Sequence, residues 1–190
     1  VDGEEADSCR KLMLSASDRL IEEIQAQREL SVAERGELAT KSADVGSLPF
    51  LSDLAGLYEN HDVAKGKSIR IDEAAASLVL HTDRSLLARV VGNMLKNGLE
   101  ASKPGETVTL GCAREGDDAV FRVHSPAAMP EKVQLQVFQR SFSTKGGSGR
   151  GLGTFSMKLL GEGYLKGKVW FESSKDKGTT FFLRLPSKKA

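Results

Sequence analysis

The chain has 190 residues, with 27 Lys and Arg against 26 Asp and Glu, a formal net charge of +1. That length suits one well-cored domain with an appendage, and the balanced charge argues against a nucleic-acid binder, which carries a basic excess or stripe. No apolar run approaches a membrane span and the acidic opening is not a signal peptide, so a cytoplasmic chain without membrane contact is expected.

In chain order, residues 8–34 read as one long helix. Leu12, Met13, Ala16, Leu20, Ile21, Ile24 and Gln27 recur at three and four, and Gly36 marks its end. One face is apolar and the rest charged, so it should pack against other helices. Residues 36–44 are polar and read as a linker with a short edge strand. Residues 45–64 read as a second amphipathic helix, with Leu51, Leu54, Leu57, Tyr58 and His61 on one side and Pro49 in its first turn. Strands are expected at 68–71 and 77–81. Asp83 then caps a helix to about residue 102, with Leu86, Leu87, Val90, Val91, Met94, Leu95 and Leu99 apolar.

Strands at 107–113 and 119–124 flank the turn Glu115-Gly116-Asp117-Asp118 as a hairpin. A loop follows at 125–130, then helices at 131–138 and 151–161, and a last hairpin of 167–173 and 179–185. Cys9 and Cys112, one in a helical and one in a strand pattern, are expected as reduced structural thiols. His61, His81 and His124 lack metal-ligand spacing.

Residues 138–153 read FQRSFSTKGGSGRGLG. Gly149, Gly151 and Gly153 are spaced by two, and a helical pattern begins at Thr154. Glycines before a helix make a phosphate site, because the backbone approaches closely and free N–H groups point at the anion. Alone this pattern is weak. It gains weight from Asn93 and Asn97, which share a helix face at i and i+4, and from Gly178-Thr179-Thr180, which opens the final strand.

In this order of motifs, residues 40–190 resemble the ATP-binding catalytic domain of bacterial sensor histidine kinases, members of the ATPase superfamily that includes gyrase, Hsp90 and MutL. The resemblance implies an α+β fold: a two-layer α/β sandwich, its mixed sheet covered on one face by three helices, preceded by a long dimerisation helix. The division is 1–38, second helix of the dimerisation and phosphotransfer hairpin with its linker, and 39–190, the catalytic ATP-binding domain. NMLKNGLEAS at 93–102 is similar to the N box, which implies Asn97 as a Mg²⁺ ligand and Asn93 on the phosphate side. FQRSFSTK is similar to the F box, with Phe138 and Phe142 anchoring a lid and Lys145 near the terminal phosphates. GSGRGLG supplies Gly149, Gly151, Leu152 and Gly153 to the nucleotide, and GTTFFLRLP places Thr179 near the adenine.

One element departs. The family reads adenine with D-x-G-x-G, whereas VHSPAAMP stands at 123–130. Ser125 or His124 occupies the Asp position, Ala127 and Ala128 replace glycine, and Met129 keeps its place. Losing a charge-assisted acceptor costs about 1–3 kcal/mol of nucleotide affinity.

The resemblance implies ATP and Mg²⁺ as cofactors, a response regulator receiver domain as partner, and a homodimer through the N-terminal helix. The γ-phosphoryl would pass to a histidine on an upstream helix outside this fragment, since none of the three histidines sits in an H-box pattern. The alternative is a pseudokinase or adaptor with a degenerate adenine loop, acting by dimerisation and docking. An ATP-hydrolysing clamp ranks last, because such enzymes use a Glu base where Asn93 stands and an amide cannot take a proton.

Overall fold

A computed structural model describes residues 3–140 and 152–186. The chain divides into two units, Val1–Leu38 and Ala39–Ala190. The first is a single helix, α1 (Gly3–Glu34), which begins five residues before the expected start at residue 8. Gly36, at φ 76°, closes it. The N–H of Gly36 donates to the Ala33 carbonyl (3.0 Å) and that of Glu37 to Val32 (3.1 Å), the paired bonds of a Schellman end. Met13, Leu14, Leu20, Ile21 and Ile24 are all more than half exposed along this helix. Cys9 is exposed as well, so the expectation of a structural thiol there is wrong; Cys112 is buried.

In the second unit a five-stranded sheet has the order β2-β4-β5-β7-β6. Its strands are β2 (Ser68–Ile71), β4 (Thr107–Glu115), β5 (Asp118–Ser125), β6 (Lys168–Ser174) and β7 (Gly178–Pro186). β2 and β4 are parallel and every other neighbour is antiparallel, so the sheet is mixed. Strand β1 (Ser42–Gly46) pairs antiparallel with β3 (Val79–Asp83) in a separate ribbon. Alternation assigns the faces. Val108, Leu110, Cys112, Phe121, Val123, Phe181, Leu183 and Leu185 are buried beneath helices α2 (Ser47–Glu59), α3 (Arg84–Ala101) and α5 (Leu152–Lys158). Arg122, His124, Trp170, Thr180, Phe182 and Arg184 lie on the other face and are half exposed. This is the two-layer sandwich.

Helix α3 is the centre of the core. Asp83 caps it, its Oδ1 accepting from Ser85 N (2.9 Å) and Leu86 N (3.0 Å). Val90, Val91, Met94, Leu95 and Leu99 are fully buried, each worth about 1.5–3 kcal/mol relative to exposure.

Four sequence expectations are corrected. The helix at 45–64 is really the end of β1, α2, and a short 3₁₀ turn at Asp62–Ala64. Val45 pairs with Leu80 across the ribbon, and His61 is extended (φ −84°, ψ 141°). The strand at 77–81 lies two residues later, carried to Asp83 by pairing with Ser42. Only Glu131–Gln134 of 131–138 is helical (α4); beyond it Val137 is buried and Phe138 packs edge-on against Phe171 and Phe181. The helix after the glycine run widens at Leu159–Tyr164 into a π turn. There Leu165 N donates to Leu160 O (2.9 Å), and Gly161 rests on β6 so closely that a Cβ would lie 2.5 Å from Val169 Cγ2.

The exposed face has its own order. Trp170 stacks on Phe182 with centroids 4.8 Å apart and planes 8° from parallel. The Arg122 side chain crosses β4 over Gly111, where a Cβ would lie 2.8 Å from its Nε, and reaches the Asp72 carboxylate after β2. The Ala74 N–H, donating to Asp72 Oδ1 (3.0 Å), and then the Arg122 guanidinium hold that carboxyl below its ordinary range.

Candidate functional site

Helix α3 lies between α5 and the end of β5, and so brings distant motifs together. Its buried positions face the sheet and leave Arg89, Asn93, Lys96 and Asn97 as a half-buried polar stripe. Asn93 faces the start of α5, its Oδ1 3.8 Å from where a Cβ on Gly153 would stand. One residue past Asn97, Gly98 packs against β4 and β5; a Cβ there would lie 3.2 Å from Val108 Cγ1 and 3.5 Å from Ser125 Cβ. The asparagine helix therefore touches both the glycine-run helix and the loop that departs from the family pattern.

Strand alternation puts His124 and Ser125 on opposite faces of the sheet. Ser125 faces α3 and is buried, 4% exposed. His124 points to the opposite face, where its Nδ1 lies 3.0 Å from Thr180 Oγ1. The inward pattern continues beyond the strand: Ala127 and Met129 are half-buried while Pro126, Ala128 and Pro130 are exposed. Gly178 presses β7 against this loop at φ 69°, and a Cβ there would overlap the carbonyl oxygens of Ser125 and Pro126.

A chain of hydroxyls clamps the loop. Thr179 Oγ1 donates to Ala127 O (2.8 Å), and Met129 N–H donates to Ser173 Oγ (2.8 Å). Ser173 Oγ and Thr179 Oγ1 are 2.8 Å apart. A threonine hydroxyl has one proton, already given to Ala127, so Ser173 is the donor between them. The order is Met129 N–H to Ser173 to Thr179 to Ala127. Gln134 Nε2 adds a bond to Met129 O (2.8 Å). Ser125 Oγ stands apart, its contact with Thr179 O being 3.5 Å, beyond the usual hydroxyl range.

Of the residues singled out in the sequence, Asn93, Asn97, Ser125, Ala127, Met129, Leu152, Gly153 and Thr179 fall on α3, the end of β5 and the loop after it, the start of α5 and the start of β7. Phe142, Lys145, Gly149 and Gly151 lie outside the described residues. Phe138, at the edge of that stretch, has Lys158 Nζ 5.3 Å from its ring centroid. Lys96 and Ser173 are not among the motif residues singled out in the sequence. Helical spacing from Asn93 was the available signal for Lys96; Ser173 had none, because its role depends on register opposite Thr179. Among the described residues no group of three His, Cys, Asp or Glu could hold a metal.

Residues 82–189 match the model of the histidine kinase-, DNA gyrase B- and HSP90-like ATPases. A probable C4-dicarboxylate sensor kinase of Halalkalibacterium halodurans is 36% identical over 147 residues, which cover 72% of this chain and 27% of the relative. The chain thus spans about a quarter of that protein. The catalytic domain of histidine kinase ThkA superposes with a TM-score of 0.67 at 19% identity, covering 77% of this chain and 96% of that one. ThkA in complex with the response regulator protein TrrA gives 0.70 at 15% identity, covering 99% and 53%. Full-length ShkA in complex with AMPPNP gives 0.82 at 19% identity, covering 98% and 40%. The asparagine helix, the glycine-led α5 and the terminal Gly-Thr strand are those of a histidine kinase-type ATPase domain, and the chain belongs to the histidine kinase-, DNA gyrase B- and HSP90-like ATPase family.

Proposed function

We propose that this chain is the catalytic domain of a two-component sensor kinase, binding Mg·ATP between α3, the 125–130 loop and the start of α5. The γ-phosphoryl passes to a histidine, and from there to a response regulator receiver domain. The observation that carries this reading is the approach of Asn93 to Gly153, which sets an amide-bearing helix beside a glycine-led helix start. Asn93 orients the phosphates, and Lys96, one turn on, adds a cation on the same helix face. Phe142, Lys145, Gly149 and Gly151 contribute the lid and its phosphate contacts in this reading. Ser125, Ala127, Met129 and Thr179 hold the base.

Asn97 suits Mg²⁺, since a half-buried amide offers a neutral oxygen to a cation that prefers oxygen ligands and keeps its waters. Bound there, the ion would neutralise phosphate charge. The chain's own contribution is positioning and electrostatics.

None of the three histidines in this chain is read as the phosphoryl acceptor, because each has a local partner in the fold. His61 stacks on Tyr58 and its Nδ1 accepts from Val63 N; His81 pairs with Asp44; His124 binds Thr180. Helix α1 is read as the second helix of a dimerisation and phosphotransfer hairpin, with its exposed stripe meeting a second copy. That the relative is called a sensor kinase, and that ThkA is found with a response regulator, supports this.

Nucleotide titration with and without Mg²⁺, joined to phosphoryl transfer onto a supplied dimerisation hairpin, tests the reading. Binding should weaken without Mg²⁺, the hairpin should become labelled, and Asn97→Asp should reduce both. An unlabelled hairpin with no binding at millimolar ATP would hand the function to the adaptor reading, which the missing carboxylate at Ser125 favours.

A further inference from the structure

The hydroxyl chain has a consequence for which nucleotide base the pocket accepts, an inference that rests on the nucleotide-binding reading above. Base selection at a purine's six position depends on whether the facing group donates or accepts. Adenine offers an amino donor there and an acceptor at N1; a 6-oxopurine offers the reverse, an acceptor at O6 and a donor at N1. A carboxylate only accepts, so it favours adenine and repels O6.

No carboxylate stands on the inner face of β5 or β7. From the core outward β5 presents Ala119, Phe121, Val123 and Ser125, and β7 presents Leu185, Leu183, Phe181 and Thr179. The two polar members meet at the end next to the 126–130 loop, paired across the ladder. Their proton arrangements differ. Thr179 gives its proton to Ala127 O and receives that of Ser173, leaving one lone pair that accepts and no donor. Ser125 has only its long contact to Thr179 O. Its hydroxyl can turn to accept from an amino group or donate to an oxo group.

We propose that Ser125 is the group that sets base specificity, and that it makes the site tolerant: it accepts 6-oxopurine triphosphates about as well as ATP. Ala127 and Met129, held half-buried by the same hydroxyl chain, supply an apolar wall to the base, which is indifferent to the six substituent.

The test is a competition of ATP with inosine triphosphate for the full chain in Mg²⁺. Inosine triphosphate differs from ATP at the six position and at the linked N1 protonation, without the 2-amino group of guanine. The affinities should fall within about threefold of each other, since each base forms neutral hydrogen bonds of similar strength. Ser125→Asp should shift the ratio at least about tenfold toward ATP, the worth of a charge-assisted bond gained by one ligand and a repulsion met by the other. Ser125→Ala should weaken both alike. Preference of the unaltered chain for ATP by more than about tenfold overturns the inference and leaves nucleotide binding standing; this measurement needs no variant to fold. A ratio unchanged in a folded Ser125→Asp protein overturns it also. If neither nucleotide binds at millimolar concentration, the underlying reading falls and takes this one with it.

Discussion

Thr179 is half of a two-hydroxyl bridge, and its removal should be felt well beyond its own strand. In Thr179→Val the shape is kept, but the Ala127 carbonyl loses its donor and the Ser173 hydroxyl its acceptor. Leaving such groups unpaired costs about 1–3 kcal/mol, so denaturant unfolding should show a loss of that size, with Thr179→Ser close to the parent. The two cysteines should separate cleanly. Exposed Cys9 should react with a thiol reagent at once, and buried Cys112 only on unfolding. Burial pushes the Cys112 thiol from 9.0 up to about 11. The unfolded thiol ionises first as pH rises, so its contribution to stability is full below about pH 9 and is lost between there and about pH 11, on the order of 2–3 kcal/mol. Cys112→Ser should retain less of that alkaline decline when stability is followed against pH.

Among the elements, strand β4 owes one contact to having no side chain at Gly111. In Gly111→Ala the new methyl would displace Arg122 from its path to Asp72. Asp72 is held below its ordinary range, so its contribution is present above the unfolded carboxylate pKa and disappears as pH falls through the lowered folded value. Acid unfolding should therefore lose part of its pH dependence in both Gly111→Ala and Asp72→Asn; an unaltered acid limb in Asp72→Asn would show the pair to be without weight. Elements with local signals were legible in the sequence. Asp83, the apolar period of α3 and the Gly116 hairpin each carry their cause within a few residues. Strand β1 was expected as a short edge strand within 36–44, but its last residues, Val45 and Gly46, were hidden inside an expected helix, because the pairing of Val45 with Leu80 is non-local. The short α4 and the π turn were hidden for a similar reason: packing of Phe138 on β6 and β7, and of Gly161 on Val169, overrides helical propensity.

At the scale of the molecule, the motifs of the candidate site were readable one by one, while their joining was not. The spacing of Asn93 and Asn97 is visible in the chain; that Gly98 packs by Ser125 depends on how α3 crosses a folded sheet, and that Thr179 binds Ala127 depends on the pairing of β7 with β5. No helix among the described residues is long and apolar enough to cross a membrane. The apolar positions along α1, from Met13 at 66% exposed to Ile24 at 64%, call for a covering surface. Sedimentation should show self-association that Leu20→Glu with Ile24→Glu abolishes, and a monomer at every concentration in the unaltered chain would refute pairing through this helix. The sheet's far side, meanwhile, provides an optical handle on folding. Trp170 is the chain's only tryptophan, and its indole lies flat on Phe182 on the face turned away from α3, α5 and the loop at Ser125. Its emission should report loss of the sheet on unfolding while staying nearly silent when a ligand fills the opposite side, so fluorescence melts can follow stability in every variant above without interference from nucleotide.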